Sequence, residues 1–157
     1  MQPGTTGMDL FRSLKLFPCL MLAICSAHAG AMPDEIPGVE TLTAEAGVEK
    51  ANSKLKPVII DAGINRDRTS GYTEESSSLS DINTNCDTLN RLVALEFKAN
   101  KLTPRVFDCN DDNCGRSVVV IKIARSCAYK SLSLDRCGFE EWRKKRYQTV
   151  TQDQARR

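Results

Sequence analysis

The chain has 157 residues, with 22 Lys and Arg against 20 Asp and Glu and a formal net charge of +2. That length suits one domain with one modest core, and the near-neutral balance excludes nucleic-acid wrapping as the role of the whole protein. Glycine-rich phosphate loops and the G-x-S-x-G and H-E-x-x-H patterns are absent, which removes the chemistries those motifs carry.

From the N-terminus, Arg12 and Lys15 form a positive start and Leu16 to Ala27 an apolar run. Ala27-His28-Ala29 then offers small residues at the two positions a signal peptidase reads. The run is shorter than the roughly 20 residues a membrane-spanning helix needs. Residues 1–29 are therefore expected to be a cleavable signal peptide. The mature chain, with no transmembrane span, is expected to be secreted or periplasmic. Leu22-Ala23-Ile24-Cys25 resembles a lipid-attachment box, but Ile24 stands where Gly or Ala is needed.

Removal of residues 1–29 leaves 20 basic and 19 acidic side chains, and it also removes His28, the only histidine. A chain without histidine has no Ser-His-Asp or Cys-His mechanism and no His-containing zinc site. The remaining charge is uneven: residues 30–103 hold 8 basic and 12 acidic side chains, residues 104–157 hold 12 and 7. Such polarity between halves can mark a binding surface.

Residues 30–83 read as a linker-rich N-terminal segment. Glu40 to Leu55 has helix formers without a clean apolar stripe. Pro57-Val58-Ile59-Ile60-Asp61 reads as a strand, and Ala62 to Asn83 as a polar loop rich in Ser and Gly. Residues 84–150 are expected to form the folded core and residues 151–157 a frayed tail. Leu89, Leu92, Val93 and Phe97 share one face of a helix from Asp87 to about Ala99, capped by Thr84 or Asn85 and ended before Pro104. Arg105 to Cys109 and Cys114 to Ala124 read as two strands joined by an Asn110–Asn113 turn, with Lys122 isolated in the second. A last helix is expected from Phe139 to about Gln148. The expected fold is thus α+β: a small disulfide-stabilised domain with an amphipathic helix, a β-hairpin and a C-terminal helix.

Cysteine usage fits export. Five cysteines follow the leader: Cys86, Cys109, Cys114, Cys127 and Cys137. One scheme pairs Cys109 with Cys114 across the hairpin and Cys127 with Cys137 across a short loop, leaving Cys86 free. Its rival joins Cys86 to Cys127 or Cys137 and ties the helix to the sheet. The two schemes are not separable by spacing alone.

Candidate chemistry is sparse. Asp108, Asn110 and Asp112 match the front of a calcium-binding loop, but Asn113 and Val119 stand where glycine and glutamate belong, so no metal is assigned. Trp142, Arg143, Lys144, Lys145, Arg146 and Tyr147 form the densest basic cluster. They are read either as a face docking an anionic surface or protein partner, or as the solvated side of an amphipathic helix. Asp61, Glu74, Glu75, Asp111, Asp112, Glu140 and Glu141 are the carboxylates a hydrolase could place across a cleft. The leading expectation is a small exported, non-enzymatic interaction protein with no cofactor and an unidentified protein partner. The alternative is a secreted hydrolase or toxin that uses carboxylates without histidine.

Overall fold

A computed structural model describes residues 33, 35–111, 113–151 and 154. The expected signal peptide, the Cys25 box and most of the tail lie outside the described residues. In chain order the elements are β1 (Glu40–Leu42), α1 (Ala44–Ala51), β2 (Val58–Asp61), α2 (Asn65–Arg68), β3 (Tyr72–Thr73), β4 (Ser77–Ser78), α3 (Cys86–Leu95), β5 (Arg105–Asp108), α4 (Arg116–Ser126), β6 (Leu132–Asp135), α5 (Gly138–Lys144) and β7 (Thr149–Val150). A short 3-10 turn covers Asp81–Asn83.

Five strands form one sheet in the order β1-β6-β5-β2-β4, and every pairing in it is parallel. Every residue of β2, β5 and β6 is buried. That is why these segments read as runs rather than as an apolar–polar alternation: a parallel sheet is covered on both faces. The register aligns Val58, Arg105 and Leu132, then Ile59, Val106 and Ser133, then Ile60, Phe107 and Leu134. Successive rows point to opposite faces. Ile60, Phe107 and Leu134 join the core with Leu89 and Val93 of α3 and Val120 and Ile121 of α4. The other face meets α1 and α5. Gly47 permits the close approach of α1 there, since a Cβ on it would stand 3.2 Å from Asp135 Oδ2 and 3.3 Å from Trp142 Cζ2.

Several expectations hold in this structure. The strand at 57–61 is β2. The helix expected from Asp87 is α3, with Leu89, Leu92 and Val93 buried, but it ends at Leu95, short of Phe97 and Ala99. Asn85 caps it by accepting from the amides of Asp87 and Thr88 at 2.9 Å, and Thr88 completes the capping box.

The fold class needs correction from α+β to mixed α/β with a parallel sheet. The expected second strand of a hairpin, 114–124, is instead the helix α4. Its buried residues are Ser117, Val118, Val120, Ile121 and Ala124, while Val119 and Lys122 are exposed. That spacing is helical, and the crossover between parallel β5 and β6 requires a connection that packs back on the sheet. The demand overrides the strand preference of the Val and Ile residues. Lys122 accordingly lies on an exposed helix face. The boundary expected at residue 84 falls inside one sheet: β1, β2 and β4 precede it, β5 and β6 follow it. The stretch 128–136, expected as a loop, carries β6.

Candidate functional site

The carboxyl ends of parallel strands are where α/β sheets gather their chemistry, because the loops leading to the helices converge there. In this protein β2, β5 and β6 each end on an aspartate. Asp61 is in register with Asp108. Asp135 follows Leu134, the partner of Phe107, so the three carboxylates form one row across adjacent strands. Their exposures are 6%, 2% and 2%.

Each end of the row has partners. Asp61 accepts from Arg68 Nη1 at 2.5 Å and from the Gly63 amide at 2.7 Å. Arg68 also stacks on Tyr72, its guanidinium carbon 3.7 Å from the ring centre. Asp135 accepts from Trp142 Nε1 at 2.6 Å and from the Gly138 amide at 3.3 Å. The middle carboxylate is the least satisfied. Asp108 Oδ2 accepts from the Thr73 hydroxyl at 2.8 Å, and Asp108 Oδ1 is buried without a hydrogen-bond partner. Burial, reinforced by the charges of Asp61 and Asp135, pushes Asp108 well above the usual carboxylate range, against the opposing pull of Thr73 and Arg68. Burial also pushes Asp135 up to about 6, the hydrogen bonds from Trp142, Gly138 and Cys137 opposing it.

The residue after this row is Cys109. It is 3% exposed and opens the loop that runs from β5 into the N-terminus of α4. Its disulfide partner is Cys114, half-buried, with the Cα atoms 6.0 Å apart. The loop is anchored on two sides. Asp67 of α2 accepts from Asn110 Nδ2 at 2.6 Å and from Arg116 Nη2 at 2.9 Å, so one carboxylate holds both ends of the loop. The amides of Phe139 and Glu140 donate to the carbonyls of Cys109 and Asn110, each at 2.8 Å. Gly138 is indispensable to that contact. Its φ is +64°, and an added Cβ would lie 2.5 Å from the Cys109 carbonyl oxygen.

The second disulfide joins Cys86 at the start of α3 to Cys127 at the end of α4, Cα atoms 5.5 Å apart. The structure thus takes one pair from each scheme: Cys109–Cys114 from the first, although it closes a strand-to-helix loop rather than a hairpin, and Cys86–Cys127 from its rival. Cys127 pairs with Cys86 and not with Cys137, because the helical path of 116–126 carries Cys127 to the α3 side of the sheet. Among the described residues Cys137 is the free thiol. It shares a shallow recess with Asp111, Glu140, Glu141 and Lys144, and burial together with Asp135 pushes its thiol up from the ordinary value.

The basic cluster lies on α5 and the turn after it. Trp142 is 5% exposed and faces inward onto Asp135. Arg143 pairs with Glu140 at 2.7 Å, and Lys145 pairs with Glu45 and, at 3.6 Å, with Glu141. Of the expected carboxylates, Glu74 and Glu75 border a recess with Thr73 and Trp142. Asp111, Glu140 and Glu141 surround Cys137. Asp108, which matches the front of a calcium-binding loop in sequence, is buried and accepts from Thr73. Among the described residues no group of three or more His, Cys, Asp or Glu side chains is placed to hold a metal ion.

No protein-family model and no curated protein matches the chain. Solved structures do share its fold. The rhodanese-like domain of an Anabaena protein aligns at a TM-score of 0.55 and 13% identity, over 74% of this chain and 83% of that one. A Rhodopseudomonas palustris protein of unknown function, described as a possible tyrosine phosphatase, aligns at 0.56 and 20% identity, over 76% of this chain and 100% of that one. A thiosulfate sulfurtransferase from Pseudomonas aeruginosa aligns at 0.53 and 15% identity, over 72% of this chain but 20% of the larger protein. These likenesses overturn the expectation of a small non-enzymatic interaction protein: the chain has the mixed α/β architecture of rhodanese-like domains, a fold its neighbours share with a sulfurtransferase, with a cysteine loop at the carboxyl end of the central strand.

Proposed function

We propose that the protein is a sulfur-transfer enzyme in which Cys109, once reduced, is the sulfur-carrying nucleophile. The observation that carries the reading is the position of Cys109. It directly follows the central strand β5, at the head of the loop that enters the N-terminus of α4. Amides and the helix dipole at such a terminus favour a thiolate. Cys137 is a poorer candidate, because it lies outside this loop, in a shallow recess with Asp111, Glu140, Glu141 and Lys144.

The loop's charge bears on the substrate. It contains Asp111 and Asp112, and its one cation, Arg116, is engaged by Asp67. A phosphate monoester or another dianion would meet repulsion there. This favours a thiol persulfide as sulfur donor over a phosphate ester or thiosulfate.

In a sulfur-transfer assay with a small persulfide as donor and a thiol as acceptor, Cys109→Ser should reduce turnover on the order of a thousand-fold or more. Cys137→Ser should retain it. Full turnover by Cys109→Ser would sink the assignment.

We also propose that the protein acts outside the cytosol. The leader composition of residues 1–29 supports this, as do two disulfides in one small domain. N-terminal sequencing of the protein from its native host should find a chain starting near Gly30. An intact Met1 or Met8 start would refute it.

A further inference from the structure

We infer that Cys114 is the resolving thiol of the same reaction: it displaces the carried sulfur from Cys109 as hydrosulfide and leaves the Cys109–Cys114 disulfide. The inference rests on the sulfur-transfer reading above and adds a second chemical step to it. Three observations carry it. The two cysteines are paired inside the loop itself. Asp67 grips Asn110 and Arg116, and the α5 amides grip the Cys109 and Asn110 carbonyls, so the loop is held by contacts that do not depend on the disulfide. The reduced thiols accordingly stay within reach of each other. Finally, the two sulfurs differ in access: Cys109 is buried and Cys114 half-exposed.

The steps balance as follows. The Cys109 thiolate attacks the outer sulfur of a donor persulfide, the donor's S–S bond breaks, and the donor leaves as a thiolate. Cys109 now carries a persulfide. The Cys114 thiolate then attacks Cys109 Sγ, the Cys109–persulfide bond breaks, and hydrosulfide leaves and is protonated by solvent. Two thiols have been oxidised to a disulfide and one sulfane sulfur has been reduced to sulfide. The resetting reductant is a dithiol. Exchange goes through the more accessible sulfur, so the dithiol attacks Cys114 Sγ and expels the Cys109 thiolate. Its second thiol then closes its own disulfide and frees Cys114. The reductant thus enters at Cys114, and the Cys109 thiolate is regenerated.

Trypsin cuts after Arg105 and Arg116, so a single peptide, Val106–Arg116, contains both cysteines. The test treats the dithiothreitol-reduced, desalted protein with one equivalent of glutathione persulfide. Free thiols are then blocked with iodoacetamide, released sulfide is measured, and the peptide is weighed. The wild type should release one equivalent of sulfide and yield the peptide unblocked, with its internal disulfide. Cys114→Ser should release none and yield a peptide with one blocked cysteine bearing an additional sulfur atom. A wild-type peptide that keeps the additional sulfur and releases no sulfide would overturn the role of Cys114 while leaving sulfur transfer intact. A wild-type peptide with both thiols simply blocked, and no sulfide, would overturn sulfur transfer itself. The wild-type arm decides even if the variant does not fold.

Discussion

Asp108→Asn should raise the unfolding temperature at pH 8, although it alters a residue that is 2% exposed in the central strand. Most buried substitutions destabilise; the reversed sign follows from the aspartate row. Asp108 stands between Asp61 and Asp135, with one oxygen unpartnered and its carboxyl pushed well above the ordinary range. An asparagine keeps the acceptor for the Thr73 hydroxyl, removes the charge that burial penalises, and offers an N–H₂ between two carboxylates. The wild type should show the matching pH dependence. A raised folded-state pKa means that the folded protein holds protons the unfolded chain has released. That contribution is complete below about pH 4 and is lost as pH rises, through about 6 for Asp135, and the raised carboxyl of Asp108 adds a loss of the same sign. For Asp135 alone the loss is about 3 kcal/mol. Thermal melts from pH 5 to 8 should therefore fall steeply for the wild type and less so for Asp108→Asn. A variant that melts below the wild type at pH 8 would show that the row is not a source of repulsion.

Loss of the Cys86–Cys127 bridge should be the costliest single covalent change. The two residues are 41 apart in sequence, against 5 for Cys109 and Cys114. Chain-entropy reasoning then assigns about 4 kcal/mol to the long bridge and about 2 kcal/mol to the short one. Against a typical total of about 5–15 kcal/mol, the double replacement Cys86→Ala/Cys127→Ala should leave a marginal domain. Cys109→Ala/Cys114→Ala should leave a folded one. Urea denaturation of both variants checks the ratio, and equal midpoints would contradict it. The difference also separates two uses of the same bond. The long bridge ties the start of α3 to the end of α4, while the short one closes a loop that Asp67 also holds.

The elements legible in the sequence were those whose local pattern agrees with their tertiary surroundings. Asn85, Thr88, Leu89, Leu92 and Val93 spell a capped amphipathic helix, and the structure has one. Val58–Ile60 and Val106–Phe107 are strand formers, and both lie in strands. The stretch Ser117–Ala124 misleads because its Val and Ile residues favour strands locally, while the parallel partner β6 demands a helical crossover. The signal was present in the polar interruptions: Lys122 and Arg125 fall on the same helix face as the exposed Val119. β6 itself, Leu-Ser-Leu-Asp, is too short and too polar to stand out. The aspartate row could not be read from the chain at all, since Asp61, Asp108 and Asp135 meet only through strand register. Cys109 was seen as a bridging residue. Its place at the carboxyl end of the central strand leaves a weak trace, a cysteine directly after Arg105–Asp108 with Gly115-Arg116-Ser117 opening the next element.

The strand order has one further consequence, for behaviour at high concentration. The most strongly β-forming segments lie in the middle of the sheet, and its borders are β1, three residues long, and β4, with only two. On the β1 border Glu40 is charged and engaged by Lys50 and by the Ser133 hydroxyl. Borders so short, one of them charged, give a neighbouring molecule almost no ladder to extend. The five-stranded sheet is thus poorly suited to edge-to-edge growth, and its aggregation hazard lies in chains whose central strands have come apart.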